Sequence, residues 1–236
     1  MKLTFVTVLA IALLPGYTNA SFTNNPTPGW TQPSSSVIAD LPDSPGGTPN
    51  GHRTPGGTRG DCKQIHKQTD KPFTALVPED SKGLTTAEYP VFWFYIPDAV
   101  ENIHSIEFSL HDRNETTTLY RTSLQLTKTP GVIGIPLPPS PEHSLKLNES
   151  YHWRLIVNCD RQETPENVLE LDGWVTRVQQ SPNPWYDELT NLAKRYLSEP
   201  QNPEVKNAWL ELLKSVGLEE LAQKPLVSAV SNSEND

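Results

Sequence analysis

The residues able to do acid–base, nucleophilic or metal chemistry are few and scattered along this chain. Paired carboxylates cleave glycosides when two of them face each other about 5–10 Å apart across a cleft. Glu79, Asp80, Asp160, Glu163 and Asp172 are the candidates, and all fall in segments read as turns, where carboxylates mostly solvate or cap the chain. A zinc hydrolase puts two His at i and i+4 on a helix with a Glu between them. His104 and His111 instead lie seven apart on a segment read as strand, which puts them on opposite faces. His152 stands between Tyr151 and Trp153, so alternation turns it outward. No Gly-x-Ser-x-Gly elbow occurs. The Gly-rich run from Gly46 to Gly60 opens no helix and is broken by Pro, which excludes a phosphate-cradling loop. The acidic loops lack the oxygen-ligand spacing of a calcium loop. The sequence thus predicts no catalytic residue, no cofactor and no metal site.

The two cysteines, Cys62 and Cys159, lie 97 positions apart. They lack the ligand count for structural zinc. In an exported chain an even count predicts a disulfide, and closing so long a loop stabilises by about 4–5 kcal/mol in the chain-entropy model. Export itself is read from residues 1–20: Lys2, an apolar run from Leu3 to Leu14, then Pro15-Gly16 and small residues ending at Ala20. That run is too short to span a bilayer but fits a signal peptide, so the mature protein is expected in the periplasm or outside the cell, without a stable membrane anchor. With 28 Asp+Glu against 19 Lys+Arg and a formal charge of -9, the chain lacks the cationic face a nucleic acid would need.

These residues are positioned by four further segments. Residues 21–60 hold seven Pro and seven Gly among many Ser and Thr, and Pro45-Gly46-Gly47-Thr48 recurs as Pro55-Gly56-Gly57-Thr58. Such a stretch buries too little apolar area to offset its ordering entropy and reads as a disordered arm. Residues 61–180 read as strands. Tyr89 to Ile96 is aromatic and β-branched throughout, a strand covered on both faces. Ile106, Phe108 and Leu110 alternate with polar residues, as do Tyr120, Thr122, Leu124 and Leu126, and Tyr151, Trp153, Leu155, Val157 and Cys159 share one side of a further strand. With weaker runs at Phe73 to Val77, Gly131 to Leu137 and Leu169 to Val178, about seven strands predict a mainly β fold, an immunoglobulin-like antiparallel β-sandwich.

In residues 181–224 the period becomes helical. Asn183-Pro184 and Asn202-Pro203 are start signals, and Gly217 is a stop. The apolar stripes of this α-helical hairpin carry Trp185, Leu189, Leu192, Tyr196, Trp209, Leu212 and Leu213, more than two short helices hide from each other. They are candidates for binding a partner, with docking on the sandwich as the other outcome. Residues 225–236 form an acidic tail expected to be disordered.

Gly56-Gly57-Thr58-Arg59-Gly60-Asp61-Cys62, the Thr74 to Glu79 run with Gly83-Leu84-Thr85 and Tyr89-Pro90 behind it, Tyr151-His152-Trp153, Cys159-Asp160 and Gly173-Trp174 occur in one order. Over about Gly56 to Gln180 the chain resembles the cyanobacterial domain of unknown function family numbered 928 (DUF 928), and the helices with Trp209 and Ser215 to Leu218 resemble the helical tail of such proteins. The resemblance implies an exported protein and carries over no catalytic residue. The expectation is a non-catalytic binding module that engages another envelope protein. Two other classes remain open: a carbohydrate-binding or carbohydrate-cleaving protein stacking sugars on Trp93 and Tyr95, and a structural surface-layer component.

Overall fold

The structure, a computed structural model, describes residues 49–56, 71–97, 103–125, 130–159, 167–228 and 230–232, all within the unit Pro42–Asp236. The signal-peptide residues, most of the arm, Cys62, Asp160 and Glu163 lie outside the described residues. Ten strands occur among the described residues: β1 (Thr74–Ala75), β2 (Lys82–Thr85), β3 (Val91–Ile96), β4 (Ser105–Asp112), β5 (Thr118–Gln125), β6 (Gly131–Pro136), β7 (Ser150–Asn158), β8 (Val168–Arg177), β9 (Leu226–Ser228) and β10 (Val230–Asn232). Helices α1 (Trp185–Ser198) and α2 (Pro203–Lys214) lie between β8 and β9.

The strands form two sheets, a four-stranded one ordered β1-β3-β6-β9 and a six-stranded one ordered β10-β5-β4-β7-β8-β2. They face each other as a sandwich. Phe92 and Phe94 of β3 meet Phe108 of β4 at ring-centroid distances of 4.9 and 6.1 Å, and Phe94 meets Trp153 of β7 edge-on at 5.5 Å. Alternation explains the choice of faces: Phe108, Leu110, Trp153, Leu155 and Leu171 point inward and are fully buried, which sends their polar neighbours to the outer face of the six-stranded sheet.

The mainly β sandwich with a helical pair behind it agrees with the sequence reading, and two features add to it. The edge pairs β2–β8 and β6–β9 are parallel; the strands of each come from distant parts of the chain, and parallel neighbours need such long crossovers. The segment read as an acidic tail also contributes β9 and β10, which pair with β6 and β5. Leu226 and Val227 are apolar enough for a strand, and their pairing covers an open edge of β6.

The helical pair completes the core. Asn202 caps α2 by accepting from the Glu204 N–H at 3.0 Å, with Pro203 in the first turn. Gly217 ends it at φ +71°, with the Leu218 N–H reaching Leu213 O at 2.9 Å, a Schellman closure that favours glycine. Trp185, Leu189, Trp209 and Leu213 belong to the same buried cluster as the sandwich. Hydrogen bonds of the core aromatics tie α1 down, among them Trp93 Nε1 donating to Thr190 Oγ1 at 3.0 Å, Trp153 Nε1 to the Tyr186 hydroxyl at 2.7 Å, and Trp185 Nε1 to Leu76 O at 2.9 Å. No helix among the described residues is long and apolar enough to cross a membrane.

Candidate functional site

The outer face of the six-stranded sheet carries the charged groups that the inner face excludes. In the β7–β8 register Arg154 lies opposite Asp172 and His152 opposite Trp174, so parity alone brings four side chains to one side of two adjacent strands. Arg154 donates through Nε to Glu170 Oε1 at 2.6 Å, and its Nη2 is 2.5 Å from the same oxygen. The His152 ring stacks on Trp174 at 4.5 Å with 14° between planes.

Two further segments converge on that face. The β4–β5 turn is held by Asp112, which accepts from Thr116 Oγ1 at 2.8 Å and the Thr117 N–H at 2.6 Å, and Glu115 in it takes a left-handed φ of 55°. Its carboxylate reaches His152, with Oε1 2.9 Å from Nδ1. The other segment is 49–56, inside the stretch read as a disordered arm. His52 bridges to the backbone of β8: its N–H donates to Asp172 O at 3.0 Å, and the Asp172 N–H donates back to His52 O at 3.1 Å. The approach is close enough that a Cβ on Gly51 would stand 2.8 Å from Gly173 Cα, which explains glycine at position 51.

Asp172 joins these segments. Its Oδ2 lies 2.9 Å from His152 Nε2, and its Oδ1 accepts from the His52 N–H at 3.0 Å and lies 2.9 Å from His52 Nδ1. Burial alone would push this carboxyl up, but the His152 and His52 hydrogen bonds outweigh it and hold Asp172 below the usual carboxylate range. Around the cluster opens a pocket of about 480 Å³, lined among the described residues by His52, Glu115, His152, Arg154, Glu170 and Asp172, with Pro55 and Val168 as its apolar side chains. His111 lies deeper on the same face, between Ser109 Oγ at 2.9 Å and Thr118 Oγ1 at 3.1 Å. Burial and then the Arg154 charge push its imidazole down.

The geometry sets limits on chemistry. Both His152 ring nitrogens face carboxylate oxygens, so neither is open to exchange a proton with a guest. Among the described residues the pocket lining contains no Ser, Thr, Cys or Lys side chain to act as nucleophile. Among the described residues no group of three or more His, Cys, Asp or Glu is arranged to hold a metal ion.

The chain belongs to the family Domain of Unknown Function (DUF928), whose model matches residues 54–184 and 181–226. The DUF928 match thus includes five of the six polar pocket residues; His52 precedes it. No curated protein and no solved structure matches the chain.

The residues singled out in the sequence fall elsewhere. Trp93 and Tyr95 are buried, at 7% and 3% exposure, and offer no sugar a face. The outer side of β3 that they occupy is covered: Trp93 bonds to Thr190 on α1, and the Lys224 Nζ sits 5.5 Å above the Tyr95 ring. Of the seven hairpin residues offered as partner-binding, Trp185, Leu189, Trp209 and Leu213 are buried inside this chain and closed to a partner in this conformation. Leu192, Tyr196 and Leu212 are half-buried. Glu79 and Asp80 are exposed in a turn, apart from the pocket. Asp172 is on a strand, not in a turn, and Cys159, half-buried after the end of β7, packs against the core.

Proposed function

We propose that this DUF928 protein is an exported, non-catalytic binding module of the cell envelope and that its ligand is taken in the pocket on the outer face of the six-stranded sheet. The observation that carries this reading is the mutual engagement of the pocket's reactive groups: Asp172 is shared between His52 and His152, and Arg154 is committed to Glu170. A charged cavity whose side chains are already hydrogen-bonded to one another suits recognition. In this reading Cys62 and Cys159 form a disulfide, supported by the absence of a free cysteine among the described residues, and mass analysis of unreduced peptides checks it.

The test is affinity capture from the native envelope with the exported wild-type protein and with a Glu115→Gln/Glu170→Gln variant whose fold is verified by circular dichroism. A retained component that the variant loses supports the pocket. Identical captures from both proteins overturn it.

A further inference from the structure

We infer that the pocket recognises a cationic hydrogen-bond donor, an ammonium or guanidinium group, and this inference rests on the pocket being the ligand site. Three carboxylates, those of Glu115, Glu170 and Asp172, face one guanidinium, that of Arg154, within the lining. Among the described lining residues the carboxylates thus outnumber the guanidinium, and the chain as a whole carries a formal -9.

The hydrogen-bond accounting points the same way. Asp172 has both oxygens engaged by His52 and His152. Glu170 is not: both Arg154 contacts fall on Oε1, which leaves Oε2 outside that ion pair. Glu115 gives Oε1 to His152, while its Oε2 stands 3.7 Å from Arg154 Nη1, beyond hydrogen-bond distance. The surplus is thus in acceptors, on two carboxylates whose side chains are 45% and 40% exposed at the pocket. An anionic guest would meet this surplus as repulsion and find the Arg154 guanidinium already held by Glu170. A cationic donor satisfies both oxygens and offsets the acidic surplus, and the apolar side chains of Pro55 and Val168 accommodate the methylene stem that such groups carry.

The stem-borne cation has two sources, a free small amine or the Lys or Arg side chain of a polypeptide, and the experiment separates them. Full-length oxidised protein is titrated by NMR at constant ionic strength with agmatine, with the capped dipeptides acetyl-Gly-Arg-amide and acetyl-Gly-Lys-amide, and with xylitol as an uncharged polyol. The expected result is saturable shifts of the His52 and His152 ring signals with the cationic probes, weakened at least about tenfold in Glu170→Gln, as loss of a charged hydrogen bond requires. Glu107→Gln serves as control, since Glu107 pairs with Arg121 at 3.2 Å on the same face and is not part of the pocket; it should leave the titration unchanged. Agmatine binding without dipeptide binding assigns a free amine, and the reverse assigns a polypeptide side chain. Shifts with xylitol equal to those with agmatine, or no saturable shift with any cation, overturn the inference. If cations fail while envelope capture still depends on Glu115 and Glu170, the inference falls and the pocket reading stands; if capture is also independent of them, both fall.

Discussion

Tyr186 is where the hairpin enters the sandwich, and replacing it with Phe isolates one atom of that junction. The hydroxyl accepts from Trp153 Nε1 at 2.7 Å and donates to Trp174 O at 3.2 Å, and the Tyr186 and Trp153 rings are fully buried. Burial pushes the phenol far up, so it is neutral at every pH of interest. The Phe ring keeps the edge-on contact with Phe92 at 5.5 Å, so little cavity opens and the loss is polar. Stranding the Trp153 N–H in the core costs about 1–3 kcal/mol, and the lost donation to Trp174 adds about 1 kcal/mol. Tyr186→Phe should therefore destabilise by about 3 kcal/mol, or about 6–12 °C in Tm for a domain of this size. Urea unfolding monitored by tryptophan fluorescence measures it. The double-mutant cycle with Trp153→Phe should show coupling of about 1–3 kcal/mol, because removing the donor relieves the stranded group. A Tyr186→Phe protein within about 0.5 kcal/mol of wild type, together with additive behaviour in the cycle, would refute the buried Tyr186–Trp153 junction between α1 and the sandwich.

The same packing carries two more expectations. Deleting residues after Gln180 removes Trp185, Tyr186, Leu189, Trp209 and Leu213 from the shared core and should give a protein that aggregates or melts early; a stable, monomeric truncated protein in size exclusion and thermal unfolding would contradict the buried hairpin. His111 has its imidazole pushed below the ordinary value by burial, by Arg154, Arg121 and His152, against the opposing charge of Glu115, so the folded state prefers it neutral. Its contribution to stability is complete above the unfolded value of about 6.5 and is lost as pH falls from there through the lower folded value. Denaturant midpoints at about pH 7.5 and 5.5, which bracket that unfolded value, should differ less in His111→Asn than in wild type, and an unchanged difference would count against the assignment.

The fold was legible where one local rule dominated. The unbroken apolar run at Val91–Ile96 can only be a strand buried on both sides, and it is. Asn202-Pro203 and Gly217 bound a helix because backbone capping is local chemistry. β2 was not legible: Lys82-Gly83-Leu84-Thr85 has no alternating apolar face, and it is a strand because β8 offers it a parallel edge. The hairpin's stripes showed that large apolar groups had to be covered but not by what, since periodicity measures how much a helix must bury and carries no information about the surface that receives it.

The pocket was half legible, for a reason that lies in how its members are spaced. Alternation placed His152 outward of Trp153, and the same parity places Arg154, Glu170, Asp172 and Trp174 on one face once β7 and β8 are paired. Extending the parity argument across a paired register was the signal that could have found them. Glu115 depends on a left-handed turn residue and His52 on a segment whose Pro/Gly content reads as linker, and neither has a periodic signature. What holds that segment is tertiary: Arg53 Nη1 donates to Val216 O at 2.7 Å, at the carbonyl end of α2, and the Ala75 N–H donates to Arg53 O at 2.7 Å. A guanidinium there answers carbonyls the helix cannot satisfy itself. Residue 53 thus grips the hairpin while residue 52 closes the pocket. The hairpin that the sequence offered as the binding element contributes to the proposed site by anchoring the segment that walls it, and its own apolar stripes are spent on the core.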